Sequence, residues 1–256
     1  MARSVAIIGA GIGAEHLSGY LALPDDFRVA AICDLDQDRA RPLCERAGAR
    51  YVPDFQDILG APGVDLVDIC LPPHLHFSAA KAALEAGKDV VVEKPMTASL
   101  ADADALQRVA AKTGKSVFPV FQYRFGPAAS QLRALMKAGM AGKAYVATLE
   151  THWNRGAAYY ANPWRGTWAG EQGGAVLGHA IHIHDWVCDV LGPVGSVHAE
   201  LATRVNDIET EDCGALAMRM ECGALVTSSI TLGAAQDTSR MRFVFEPLTV
   251  ESGRSP

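Results

Sequence analysis

The chain has 256 residues, 49% apolar and 20% charged, with a formal net charge of −6. That length suits one large domain or two ordinary ones with a sizeable core. The acidic balance and the lack of a Lys/Arg cluster argue against a nucleic-acid surface, and no apolar run reaches the length of a membrane span. The six cysteines are scattered without a Cys-x-x-Cys pair, so they read as reduced thiols and not as a disulfide framework or zinc site. The opening "MARSVAIIGAG" has too short an apolar segment for a secretory signal and runs directly into glycines. The expectation is a soluble, cytoplasmic protein.

Through residues 3–122, short apolar runs alternate with helical segments. "SVAIIG", "RVAAICD", "VDLVDICLP", "KDVVVEK" and "KSVFPVFQ" are continuous runs, as expected of strands buried on both faces of a parallel sheet. Between them lie "AEHLSGYLAL", "DQDRARPLCERAG", "HFSAAKAALEAG" and "SLADADALQRVAAKTG". The last has Ser99 as its N-cap and Gly114 as its stop. This alternation predicts a doubly wound α/β domain over residues 1–123.

The rhythm then changes. A helix, "PAASQLRALMKAG", precedes a strand, "KAYVATLETHW", and a long aromatic loop without evident structure. One helix is expected over "GAVLGHAIHIHDWVCDVLG". The rest is strand-like: "SVHAELATRV", "CGALAMRMEC", "GALVTSSITL" and "RMRFVFE", with the glycine after "MEC" suited to a tight hairpin. The second domain, residues 124–256, is therefore expected to hold an open, mostly antiparallel sheet.

Three stretches carry chemistry. "GAGIGA" (residues 9–14) sits between a strand and a helix, where Gly9, Gly11, Ile12 and Gly13 would let the backbone approach a pyrophosphate on the helix N-terminus. Asp34 ends the next strand, about twenty residues on, where a carboxylate holds both ribose hydroxyls and repels a 2′-phosphate; NAD is favoured over NADP. "LPPHLH" brings Leu71, Pro72 and His76 to the carboxyl edge of the sheet, either as a rigid turn or as cofactor contacts. "VVVEKP" ends a buried strand with Glu93 and Lys94 at the same edge. A lysine there hydrogen-bonds a substrate hydroxyl and stabilises negative charge as hydride leaves its carbon; alone, it would equally well be a surface ion pair.

Together, "GAGIGA", Asp34, "LPPHLH", "EAGKDVVVEKP", "QYRF" and "GGAVLGHAIHIHD" resemble the Gfo/Idh/MocA family of NAD(P)-dependent oxidoreductases, over essentially the whole chain. The resemblance implies a Rossmann domain followed by an α/β domain on an open sheet that often mediates oligomerisation. It implies hydride transfer between nicotinamide and a carbinol carbon of a sugar, inositol or sugar derivative. Lys94 would then be the catalytic lysine. Glu93, His76 and Gln122 would lie near the nicotinamide end of the cofactor. The family's helix motif, Asp-x-x-x-His-x-x-Asp after a Gly-Gly pair, is matched by Gly173, Gly174, His182 and Asp185, while Gly178 replaces its first Asp.

At about 100° per residue His182 and Asp185 share a helix face, with His179 in the same stripe and His184 elsewhere. His182 is read as the proton acceptor, Asp185 as orienting its ring, and His179 as the rival base. Shared metal binding by His179 and His182 lacks a third ligand, so no metal is assigned. Arg124, Trp164, Arg165, His179 and Asp185 are the expected substrate contacts, with aromatic faces packing on sugar rings and arginines holding hydroxyls or carboxylates. A non-catalytic NAD-binding sensor, or a lyase or hydrolase using NAD transiently, are the alternatives. Family members are commonly longer, so a truncated second domain is also an expectation.

Overall fold

The computed structural model describes residues 2–253. The last three residues of the expected strand and turn "RMRFVFEPLTVESGRSP", like Met1, lie outside the described residues. The chain divides into two compact units, Met1–Val120 and Phe121–Pro256.

The first unit follows the alternation read from the sequence. In chain order it runs β1 (Arg3–Ile8), α1 (Gly13–Leu21), β2 (Phe27–Cys33), α2 (Gln37–Ala47), β3 (Arg50–Val52), α3 (Phe55–Leu59), β4 (Leu66–Ile69), α4 (Pro73–Glu85), β5 (Asp89–Val92), α5 (Leu100–Thr113) and β6 (Val117–Pro119). The strands pair in parallel in the order β3-β2-β1-β4-β5-β6. β1 shows why the runs are continuously apolar: Val5 and Ile7 join one buried layer, with Leu17 and Ala40, and Ala6 and Ile8 join another, with Ala80, Leu84 and Leu106. Ser99 caps α5 by accepting the Asp102 N–H at 3.1 Å, and Gly114 stops it at φ 67°. β3 and α3 were not read from the sequence. Three strand residues, followed by a proline, give too few periods to register.

The second unit opens with a 3-10 turn (Gln122–Phe125) and α6 (Pro127–Lys137), then β7 (Ala144–Asn154). Gln122, expected at the end of the first domain's last strand, lies in this turn and belongs to the second unit. The aromatic stretch is not wholly irregular: it contains one-turn helices α7 (Ala157–Tyr160) and α8 (Trp168–Glu171). The single helix expected next is broken into α9 (Ala175–Gly178) and α10 (Ile181–Leu191), with His179 at φ −128° between them. Gly178, a weak helix former, immediately precedes the break. Then come β8 (Val194–Ala202), β9 (Cys213–Met220), β10 (Leu225–Thr231), β11 (Gly233–Phe245) and β12 (Thr249–Gly253).

This sheet has the order β12-β11-β7-β10-β9-β8 and is antiparallel except for β7 and β10. The long crossover after β7 brings β10 back beside it in the same direction, which a short hairpin cannot do. Gly223, at φ 89°, sits in the β9–β10 hairpin. One sheet face packs against α10, where Ile183, Trp186, Val187, Val190 and Leu191 meet Met218, Val226, Met241 and Phe243. β8 is exposed along its whole length. No helix among the described residues is long and apolar enough to cross a membrane.

Candidate functional site

In the first unit the sequence-predicted groups collect at the carboxyl edge of the parallel sheet. Strand order reverses direction between β1 and β4, and an open α/β sheet binds ligands at such a point. The loop after β1 carries three glycines with different reasons to be glycine. Gly9 has φ 100°, and a Cβ there would lie 2.5 Å from the Cys70 carbonyl oxygen. At Gly13 a Cβ would press 2.8 Å from the Ile7 side chain, so this glycine lets α1 sit close on β1. A Cβ at Gly11 would meet nothing within 4 Å, leaving open space over the backbone where a diphosphate can approach.

Asp34 follows β2. Its Oδ2 accepts the Ala10 N–H at 2.6 Å and its Oδ1 accepts the Asp36 N–H at 2.8 Å. These bonds fix the carboxylate beside the glycine loop and leave each oxygen a further lone pair, so it fits a ribose diol.

His76, expected near the cofactor, is buried on α4 between two backbone carbonyls, Pro95 O and Leu71 O, each 2.7 Å from a ring nitrogen. Burial holds it below its ordinary pKa, despite those carbonyls. It ties the loop containing Leu71 and Pro72 to the turn after Lys94.

Glu93 stays at the strand end because its own N–H pairs with the Ile69 carbonyl at 2.9 Å. Its Oε2 accepts the Lys94 backbone N–H at 3.0 Å. Its Oε1 lies 3.1 Å from His16 Nε2. His16 was not singled out from the sequence. Neither were Asp68, which is wholly buried on β4, nor Cys70, just beyond it. The signal was the second carboxylate of the apolar run "VDLVDIC", the third residue of a strand buried at every position. His16, Asp68 and Cys70 also bring three ligand-type atoms within 4.8 Å of one another. Both ring nitrogens of His16 already face carboxylates, so the group reads as an ion and hydrogen-bond cluster.

The second unit holds the other predicted residues. Arg124 donates from Nε to Asp185 Oδ2 at 2.7 Å and from Nη2 to Asp185 Oδ1, a bidentate pair, with Asp189 and Arg133 adjoining. The Asp185 side chain raises the Arg124 pKa further. Asp185 thus gives both oxygens to an arginine, where the sequence reading had it orienting His182. His182 is buried on α10 and stacks on Tyr123, ring centroids 5.1 Å apart. His179 is also buried. Its Nε2 lies 3.2 Å from the Tyr159 hydroxyl, and Trp153 meets its ring edge-on at 5.4 Å. The helix break at His179 takes it off the wheel of α10.

Arg165 lies over the rings of Tyr159 and Trp164, at 3.8 and 4.3 Å, and pairs with Glu171 at 3.1 Å. Glu171 also accepts the Gly166 N–H at 2.7 Å. These contacts hold the aromatic stretch as an ordered patch. His184 faces Ser228 Oγ at 2.9 Å and its neutral form is favoured by burial, which lowers its pKa to about 4.

Residues 3–121 match the family model described as "Oxidoreductase family, NAD-binding Rossmann fold", and residues 129–250 match "GFO/IDH/MocA C-terminal domain". The D-glucoside 3-dehydrogenase of Escherichia coli is 32% identical over 217 residues, covering 82% of this chain and 60% of that protein. Inositol 2-dehydrogenase 1 of Saccharopolyspora erythraea is 36% identical over 148 residues, covering 56% of this chain and 43% of that protein. The matched part of the chain spans about two-fifths to three-fifths of the length of these curated relatives. Among solved structures, the WlbA dehydrogenase of Bordetella pertussis, in complex with NADH and UDP-GlcNAcA, superposes with a TM-score of 0.93 at 28% identity, over 99% of this chain and 74% of that one.

Proposed function

This chain belongs to the Gfo/Idh/MocA oxidoreductase family, and from that premise we propose that it is an NAD-dependent dehydrogenase acting on a CH–OH group of a sugar, inositol or sugar derivative. One observation carries the reading most directly: the glycine loop, Asp34 and the Glu93–Lys94 turn all lie at the carboxyl edge of one parallel sheet, on either side of its switch point. The NADH held by the Bordetella relative, and the dehydrogenase names of the curated relatives, support the same assignment.

When bound, NAD supplies the hydride acceptor. The loop of Gly9, Gly11, Ile12 and Gly13 holds its diphosphate, and Asp34 takes the ribose hydroxyls and disfavours a 2′-phosphate. Leu71, Pro72 and Gln122 complete the cofactor contacts, and His76 supports them by holding the loop of Leu71 and Pro72 in place. Lys94 donates to the substrate hydroxyl oxygen and stabilises the negative charge that grows there as hydride departs. His182 takes the hydroxyl proton at a ring nitrogen, and His179 stands in reserve beside Tyr159. Arg124, Trp164, Arg165 and Asp185 serve the substrate, with the aromatic patch packing on a sugar ring. Gly178 stands where the family's motif carries its first acid, so whatever contact that acid makes with substrate or histidine is absent from this chain.

The chain further assembles as a homo-oligomer through its second sheet. Supporting this, β8 presents Val194, Val197 and Leu201 to solvent. Sedimentation of the purified chain as a monomer at micromolar concentration contradicts this assembly.

The function is tested by screening polyols, sugars, sugar acids and sugar nucleotides with NAD, following absorbance at 340 nm. Tighter binding of NAD than NADP is expected, with the gap narrowed in Asp34→Ala. Preference for NADP in the wild type overturns the role of Asp34. NAD binding without turnover of any of these substrates turns the assignment toward a sensor.

A further inference from the structure

The hydride-transfer reading gives no role to His16 and Asp68, which with Glu93 form a largely buried set of charges. His16, on the first turn of α1, has Nδ1 2.9 Å from Asp68 Oδ2 and 3.1 Å from its Oδ1, and Nε2 3.1 Å from Glu93 Oε1. A neutral imidazole has a single N–H. A ring with a carboxylate on each nitrogen donates from both, and so carries a proton on both. Glu93 then uses its other oxygen to accept the Lys94 backbone N–H at 3.0 Å. The contacts form one chain, from a wholly buried Asp68 through His16 and Glu93 to the backbone of Lys94.

We propose that His16 is a positioning residue: a doubly protonated ring that fixes the Glu93 carboxylate, and through it the backbone that presents Lys94. Its consequence for rate rests on the proposed role of Lys94; the clamp itself does not. The groups facing the ring are Asp68 and Cys70 from the β4 side, and Glu93 with its neighbour Lys94 from the end of β5. Tyr20, on the same helix, faces Asp68.

Their energetics agree with the geometry. Burial opposes charge on His16, but hydrogen bonds to Asp68, Cys70 and Glu93 outweigh it and raise the ring to about 12. Burial likewise pushes the Cys70 thiol up to about 12, so it stays neutral and does not compete as a base. Burial works against the Glu93 carboxylate, yet the His16 bond and the Lys94 charge outweigh it and hold Glu93 below its usual value. A hydrogen bond in which both partners are ionised is stronger than a neutral one, which suits it to holding a backbone turn in place.

The test uses the full chain and three readouts. First, long-range 15N–1H spectra of the histidine rings, with His16 assigned by its loss in His16→Phe, are expected to show both of its nitrogens protonated from pH 6 to 9. A single ring N–H, or a midpoint near the ordinary histidine value, overturns the proposal. Second, the Lys94 amide should exchange with solvent roughly tenfold faster in His16→Phe, as expected for loss of a charge-assisted restraint. Unchanged exchange overturns the positioning role. His16→Phe leaves Asp68 buried without its cationic partner; the double variant His16→Gln, Asp68→Asn replaces the ions with amides and gives the same readout if the single variant does not fold.

Third, on a substrate that the wild type oxidises, His16→Phe should lower kcat about tenfold with little change in KM for NAD, and should add nothing in a Glu93→Ala background. Fully additive costs mean that His16 does not act through Glu93 and overturn the proposal. A wild type that transfers no hydride sinks the dehydrogenase reading alone, because the spectra and the exchange still decide the clamp.

Discussion

His16 in the first unit and His184 in the second are both largely shielded from water, yet their surroundings drive them in opposite directions. His16 lies between two carboxylates and is held charged, with its pKa raised to about 12. His184 has a serine hydroxyl at 2.9 Å and no carboxylate among the causes of its shift; burial alone lowers it to about 4. Desolvation disfavours charge in both. What decides the outcome is whether the fold brings counter-charges from other strands. In the first unit it does, because β4 and the end of β5 place Asp68 and Glu93 at the two ring nitrogens of His16. The second unit builds its polar residues around rings and arginines instead, with His182 on Tyr123 and Arg165 over Tyr159 and Trp164. Both units hold ion pairs, but it is in the first that a histidine ring sits between two carboxylates.

That contrast is broken most severely at the proposed reacting groups. His182→Ala should lower turnover by about 10²–10⁴ while leaving NAD affinity nearly unchanged, since it removes a proton acceptor carried by the second unit's sequence and not a member of the nucleotide-binding fingerprint. Lys94→Ala should lower turnover comparably, and Lys94→Arg should rescue it poorly, because a planar fork does not reproduce the reach of an ammonium. Steady-state kinetics with parallel NAD titrations check both. Full turnover in His182→Ala, with loss in His179→Ala, would move the base to His179.

The next effect is on stability and is confined to the first unit. Gly9→Ala adds a Cβ 2.5 Å from the Cys70 carbonyl oxygen at φ 100°. A cost of about 2–4 kcal/mol is expected from strain and overpacking together. Gly11→Ala, with open space around the added carbon, should leave the urea midpoint in place and weaken NAD binding. Equal urea midpoints for the two variants would contradict the different roles given to these glycines.

A pH series sharpens the histidine comparison. The folded pKa of His16 is raised, so its stabilising contribution is complete below about pH 6.5 and is lost as pH rises toward 12. The folded pKa of His184 is depressed, so stability is complete above about pH 6.5 and declines as pH falls toward 4, where the unfolded chain takes up the proton first. Hydrogen exchange read separately for each unit should show the second softening on the acid side, and His184→Asn should flatten that slope. His16→Gln should flatten the alkaline side of the first. Identical slopes in wild type and variants would refute the assignment. The smallest effect is expected for Gly178→Asp: a Cβ there meets nothing within 4 Å, so melting should move little while substrate preference shifts.

How much of this was legible in the sequence depends on the range of the interaction. Continuous apolar runs, the glycine loop, Asp34, the Ser99 cap and the Glu-Lys-Pro turn are local patterns, and the parallel sheet followed from them. The mixed character of the second sheet was not local: hairpin spacing predicts antiparallel neighbours, but the β7–β10 pair is made by a crossover that no short window contains. The break in the helix at His179 was half-visible in Gly178.

The sequence by itself determined the two-unit architecture, the family and the set of residue types at the sheet edge, because turn chemistry and hydrophobic period act over a few residues. Only the tertiary structure decided which charges meet. Asp68 and Glu93 lie 52 and 77 residues beyond His16, and Asp185 lies 61 beyond Arg124. Such pairs depend on strand order and helix placement, and a buried ion is tolerated only where that placement supplies its partner.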